Sequence, residues 1–127
     1  MASFNYITVA GQIGHDVELK YAHETPVVNL RVATQEEWLD DKGKLRKRTD
    51  WHQIEYFGSH AKALVEQVKI KKGDSVLAAG RMVYGRYRNK DGVEIPTAKI
   101  RAAEMQLLRR ASENTQPSSQ LSDDIPD

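Results

Sequence analysis

The sequence predicts an all-β OB-fold, a five-stranded Greek-key barrel with one helix between strands 3 and 4, followed by a disordered acidic C-terminal tail. Apolar residues alternate with a period of two through most of residues 5–108, and only one stretch, beginning at Ser59, repeats with the period of a helix. Glycines fall inside two of the strands, Gly11 and Gly14 in the first and Gly80 and Gly85 in the fourth. They weaken a flat strand but suit a coiled one, which favours a barrel over an open sheet beneath a helix.

The first strand starts at Asn5, with Ile7, Val9 and Ile13 on one face, and Val17, Leu19 and Tyr21 continue the alternation beyond a bend at the glycines. His23-Glu-Thr-Pro26 is a turn, and Val28, Leu30 and Val32 mark a second strand ending near Thr34. Residues 35–50 are polar and charged around Asp41-Lys-Gly43, a hairpin tip long enough to project from the body. The third strand, Thr49–Gly58, puts Trp51, Gln53, Glu55 and Phe57 on one face and His52, Ile54 and Tyr56 on the other. Next comes the helix, with Ser59 as its cap and Ala61, Leu64, Val65 and Val68 on one face. Lys69, Lys71 and Lys72 complement the negative end of its dipole, and Gly73 stops it. Strand follows over Ser75–Arg88, with Asn89-Lys-Asp-Gly92 turning the chain into Val93–Leu108. The expected division is therefore a folded domain over residues 1–110 and a flexible acidic tail over 111–127, too poor in apolar residues to fold.

Composition narrows the function. The chain has 127 residues and no cysteine, which removes disulfides, thiolate metal sites and cysteine nucleophiles together. No apolar run approaches the length of a membrane span, and the first residues lack the pattern of a secretory signal, so a cytoplasmic location is expected. The net charge of +1 conceals an asymmetry: residues 1–111 hold all 19 Lys and Arg against 14 acids, while residues 112–127 hold four acids and no base. A basic body suits an anionic partner, although such a balance is also met on an ordinary solvated surface. The four histidines are scattered, and Asp40, Asp41 and Asp50 stand among lysines as hairpin acids commonly do. There is neither a nucleophile elbow nor a phosphate-binding glycine loop, so no enzyme, metal or cofactor is expected.

The rings point to binding. Trp51 and Phe57 lie on the strand face opposite Ile54, which already supplies the interior, and Trp38 has Glu36, Glu37, Asp40 and Asp41 for neighbours, poor company for a core position. Tyr84 and Tyr87 lie on the last hairpin among Arg81, Arg86, Arg88 and Lys90, and Lys42, Lys44, Arg46, Lys47 and Arg48 crowd the first. Tyr56, between core-like neighbours, is expected inside. Flat rings beside positive charge can hold unpaired bases by their faces and phosphates by charge, each stacked base contributing about 1–3 kcal/mol.

From Asn5 to Leu108 the chain resembles the bacterial single-stranded DNA-binding protein family. The matching stretches are Val9-Ala-Gly-Gln-Ile-Gly14, Ala33-Thr-Gln-Glu-Glu-Trp38, Thr49-Asp-Trp-His52 with Phe57-Gly58, and the acidic tail. The resemblance implies that Trp38, Trp51 and Phe57 stack on bases, with Tyr87 where the family commonly has tryptophan. It implies His52 at a subunit contact of a homotetramer, and a nucleoid-associated protein that coats single-stranded DNA in replication, repair and recombination. Family tails end in acids followed by Ile-Pro-Phe and dock on replication and repair proteins. Here Asp123, Asp124, Ile125 and Pro126 match but Asp127 does not, so weakened or altered docking is expected. The alternative is a primosomal or RNA-binding OB-fold protein using another ligand surface, which the retained rings and acidic tip disfavour. A more distant one is an assembly protein whose rings bury one another.

Overall fold

Alternation sends Val9 and Ile13 inward from β1 (Ile7–Ile13). In the computed structural model, which describes residues 1–111, the chain then loses its ladder and resumes as β2 (Glu18–Ala22). The predicted first strand is thus two segments, because β1 and β2 serve different neighbours: β1 pairs with β5 (Ser75–Arg88) and, at Gln12 and Ile13, with β3 (Thr25–Leu39), whereas β2 pairs with β3 alone. The tail residues Asp123, Asp124, Ile125, Pro126 and Asp127 lie outside the described residues.

With β4 (Leu45–Phe57) and β6 (Glu94–Arg109), the strand order is β1-β5-β6-β4-β3-β2, and the β1–β3 pairing closes the barrel. The closure needs close backbone approach. A side chain on Gly11 would run into the Ala33 carbonyl, and one on Gly80 into that of Arg101. At Gly80 the ladder also slips: Gly80 pairs with Ala102 but Ala79 with Glu104, leaving Ala103 as the extra residue of a bulge. The inward set on β6 accordingly changes step, from Ile100 and Ala102 to Met105.

The core combines Val28, Leu30 and Val32 of β3, Ile54 and Tyr56 of β4, and Val76 and Ala78 of β5, with Ala61 and Leu64 from the helix. That helix, α1 (Ser59–Ala63) continued by a π turn (Leu64–Val68), lies between β4 and β5. Two sequence expectations fail at its ends. Gly58 is the N-cap, its carbonyl accepting from the Lys62 amide, and the Ser59 side chain makes no capping bond. The helix ends at Lys69, which turns left-handed (φ 63°) four residues ahead of Gly73. The wide last turn directs the Lys69 and Ile70 amides onto the Leu64 carbonyl, so satisfying it there and burying Ile70 outweigh the left-handed backbone. Asp74, fully buried, fastens the following loop by accepting from the amides of Lys71 (3.0 Å) and Ala111 (2.7 Å).

Two hairpins leave the same end of the barrel because β4 and β6 run parallel, paired over Ile54–Tyr56 and Ile100–Ala102. The β3–β4 ladder does not stop near Thr34 but runs to Leu39↔Leu45, so β4 extends about 30 Å beyond its contact with β6. Both tips are built alike. The Asp40 carboxylate accepts from the amides of Lys42 and Lys44, the Asn89 side-chain carbonyl accepts from those of Asp91 and Val93, and Gly43 and Gly92 take positive φ.

Candidate nucleic-acid interface

Pleating sorts the rings. Opposite residues of a ladder share a face, so the pairs Ala33↔Trp51, Arg31↔Gln53, Asn29↔Glu55 and Val27↔Phe57 mark the outer face of β3–β4. The pairing Glu55↔Arg101 carries that face onto β6, and Arg81↔Arg101, Val83↔Lys99 and Tyr87↔Ile95 carry it onto β5. Trp51, Phe57, Tyr87 and Arg81 therefore belong to one continuous face. Trp38 pairs with Arg46, two steps along from Glu36↔Arg48, and has the same parity as the core residues Val32 and Leu30. Tyr84↔Ala98 stands likewise with Met82↔Ile100. Trp38 and Tyr84 thus occupy the opposite face of the projecting hairpins, and Trp38 lies on a strand rather than in the loop.

Trp38 and Trp51 are 46% and 47% exposed, Tyr84 and Tyr87 are exposed, Phe57 is partly covered and Tyr56 is buried, as the alternation of β4 requires. The partly covered rings have defined supports. Trp51 packs against Gly14, where even a Cβ would overlap the indole, and meets His15 edge-on at 5.3 Å. The Arg31 guanidinium carbon lies 5.5 Å from its ring centroid. Above Phe57 the Arg101 guanidinium carbon stands 4.6 Å from the centroid.

Between the two rings, on the same face, lies an acid. Only 8% of the Glu55 side chain is exposed; Arg101 donates to its Oε1 from Nε (3.0 Å) and Nη2 (2.7 Å), and Lys99 Nζ reaches Oε2 at 2.9 Å. Burial works against its charge, but the bonds and charges of Arg101 and Lys99 outweigh it and hold the carboxyl below its ordinary value. Shallow grooves flank this cluster. One of about 390 Å³ is lined by Asn29, Gln53, Thr97, Ala98 and Lys99, and one of about 420 Å³ by Asn5, Tyr6, Gly80, Arg81, Arg101 and their neighbours.

The nine expected phosphate-contacting residues, Lys42, Lys44, Arg46, Lys47, Arg48, Arg81, Arg86, Arg88 and Lys90, are all exposed. Five already face carboxylates: Arg46 with Asp40, Lys47 with Glu37, Arg48 with Asp50, and Arg86 and Arg88 with Glu94. Asp40 is held below the usual carboxylate range, by the Lys44 amide above all and by Arg46 and the Lys42 amide, against the cost of partial burial. These acids are thus engaged by neighbouring cations and amides, and no cluster of three metal-ligating side chains occurs among the described residues. His52, on the inward parity opposite Val32, shares a 2.9 Å hydrogen bond between its Nε2 and the Thr34 hydroxyl. Sequence reasoning missed Arg31, Glu55, Lys99 and Arg101. The available signal was an acid at outward parity between two rings, which demands a cationic partner.

The closed barrel with its inserted helix and paired hairpins defines an OB-fold. The chain belongs to the single-strand binding protein family, whose model matches residues 4–108. It is similar to the single-stranded DNA-binding protein 1 of Xylella fastidiosa, at 34% identity over 90% of this chain and 84% of that one. The single-stranded DNA-binding protein of Neisseria meningitidis is 35% identical over 89% of this chain, which spans 64% of its relative. Among solved structures, a Plasmodium falciparum SSB in complex with ssDNA superposes with a TM-score of 0.77 at 22% identity, covering 85% of this chain and 97% of that one. A Thermus aquaticus single-stranded DNA-binding protein gives a TM-score of 0.70 at 21% identity, covering 84% and 51%.

Proposed function

We propose that this protein binds single-stranded DNA without sequence preference and acts in replication, repair and recombination by coating it, not by catalysis. The observation that carries this reading is the gathering of Trp51, Phe57 and Tyr87 with Arg31, Arg81, Lys99 and Arg101 on one pleated face, in a chain of the single-strand binding family. Bases stack on the rings, and exposed bases on the two hairpins take phosphates. Trp38 and Tyr84 stand on the other hairpin faces, so the strand contacts them by wrapping the hairpins rather than by lying flat on the barrel.

Residues 1–110 form the binding domain and 111–127 the acidic tail, whose Asp123, Asp124, Ile125, Pro126 and Asp127 contact replication and repair proteins. The protein assembles as a homotetramer with His52 at a subunit contact, in the cytoplasm with the nucleoid. Among the described residues, no helix is long and apolar enough to cross a membrane.

Titration with oligo(dT), followed by tryptophan fluorescence and light-scattering mass, tests the whole reading. Saturable quenching on a particle of four subunits is expected. Unchanged emission at micromolar oligo(dT) rules out the stacking role, and a monomeric mass rules out the assembly.

A further inference from the structure

Glu55 is an anomaly on the proposed face. A carboxylate at the centre of a surface meant for a polyanion repels the ligand unless its charge is consumed locally. Here it is: Arg101 and Lys99 saturate both oxygens, the cluster retains one net positive charge, and the acid is sealed while 42% of the Arg101 side chain faces solvent. Nε and Nη2 of Arg101 are engaged by Glu55, and Nη1 has no partner among the described residues. The guanidinium is thus fixed at two points, by Glu55 at its Nε side and by Phe57 beneath it, with one donor directed elsewhere. Lys99 borders the groove beside Asn29 and Gln53, and Arg101 borders the groove beside Tyr6 and Arg81, so the cluster forms the divide between the two depressions.

We propose that Arg101 and Lys99 form a phosphodiester-binding subsite between Trp51 and Phe57, and that Glu55 is its positioning residue. A strand crossing from one groove to the other passes its backbone over this divide. Arg101 donates Nη1 to a phosphate oxygen there while it stands over one face of Phe57, leaving the rest of the ring to a base. Preorganisation is the point: a free arginine samples many rotamers, and Glu55 removes that freedom before the ligand arrives. The inference rests on the single-stranded DNA reading above.

Its test is a matter of sign. If Glu55 is only a nearby negative charge, Glu55→Gln raises the net positive charge and tightens binding to oligo(dT). If it positions Arg101, Glu55→Gln weakens binding despite the added charge. We expect about fivefold weaker binding for Glu55→Gln at roughly 0.1 M salt. The paired variant Glu55→Gln/Arg101→Gln keeps the net charge and leaves no buried ion unpaired, so it guards against misfolding of the single one. For it we expect about tenfold weaker binding, with the slope of log K against log salt shallower by about 0.7, the value for one single-strand phosphate contact. Tighter or unchanged binding by Glu55→Gln overturns the positioning role. Wild-type affinity and slope in the folded paired variant overturn the subsite. Failure of the wild-type protein itself to bind oligo(dT) would instead overturn the function on which the inference rests.

Discussion

Trp51 lies against the backbone of Gly14, and no side chain fits between them. The residue that looks in the sequence like a flexible bend is the floor beneath an exposed indole. Trp51 is thereby held by Gly14, His15 and Arg31 while 47% of it stays open, which is the condition under which a ring can stack on a ligand without losing much entropy on doing so.

Gly14→Ala should displace that ring. The indole is half exposed and can swing away, so the cost in stability should stay below about 1 kcal/mol, less than for a sealed core. Oligo(dT) affinity should fall several-fold and tryptophan emission should shift. Normal affinity with unshifted emission would show that the contact does not set the ring's position.

Trp38 and Trp51 occupy opposite faces of the β3–β4 ladder. Replacing either with alanine should cost about 1–3 kcal/mol in oligo(dT) binding, and the double variant should lose roughly the sum, since the two share no contact. Tyr56→Ala should act on folding instead, destabilising by about 3–5 kcal/mol as aromatic truncations in cores do. Strong coupling between the tryptophans in a double-mutant cycle would contradict their placement on separate faces.

Acid should weaken the Glu55 cluster. Its folded pKa lies below the unfolded value, so its stabilising contribution is complete above the unfolded carboxylate pKa of about 4.3 and is lost as pH falls through the folded value. Urea unfolding should find the gap between wild type and Glu55→Gln widest at neutral pH and narrowing below about pH 4. A gap independent of pH would mean that the charge contributes nothing.

Glu94 faces two arginines of the second hairpin, Arg86 at 3.3 Å and Arg88 at 3.6 Å, and on the proposed reading it competes with phosphate for them. The pairs are exposed and weak. Glu94→Gln should tighten oligo(dT) binding by roughly two- to fivefold at low salt and steepen its salt dependence. Weaker binding would indicate that Glu94 aligns the arginines for the ligand.

The β2–β3 turn places His23 (φ 51°) and Glu24 (φ 74°) in a two-residue connection that favours Asn-Gly. His23→Asn with Glu24→Gly should stabilise the domain by about 1 kcal/mol, measured as a rise in Tm. A fall would show that the native pair makes contacts worth more than its strain.

Period-two alternation was enough to read β4 from Thr49 onward, because one sealed face forces Ile54 and Tyr56 inward and leaves Trp51 outward whatever else the chain does. The hairpins were legible from turn residues between alternating runs, and the family from the resemblance of whole stretches such as Thr49-Asp-Trp-His52. What escaped was set by partners far along the chain. Whether Ser59 or Gly58 caps the helix depends on how β4 delivers the backbone into it. The break between β1 and β2 depends on their pairing with different strands.

By itself the sequence determined which apolar residues of β3 and β4 point inward, where the hairpins turn, and the kind of surface they carry, because those follow from the spacing of apolar, aromatic and charged side chains along one strand. Only the tertiary structure decided which rings share a face and what supports them. Arg101 reaches Glu55 and Phe57, 46 and 44 positions away, solely because β6 lies parallel to β4. Such pairings are set by barrel closure, and no local pattern encodes them.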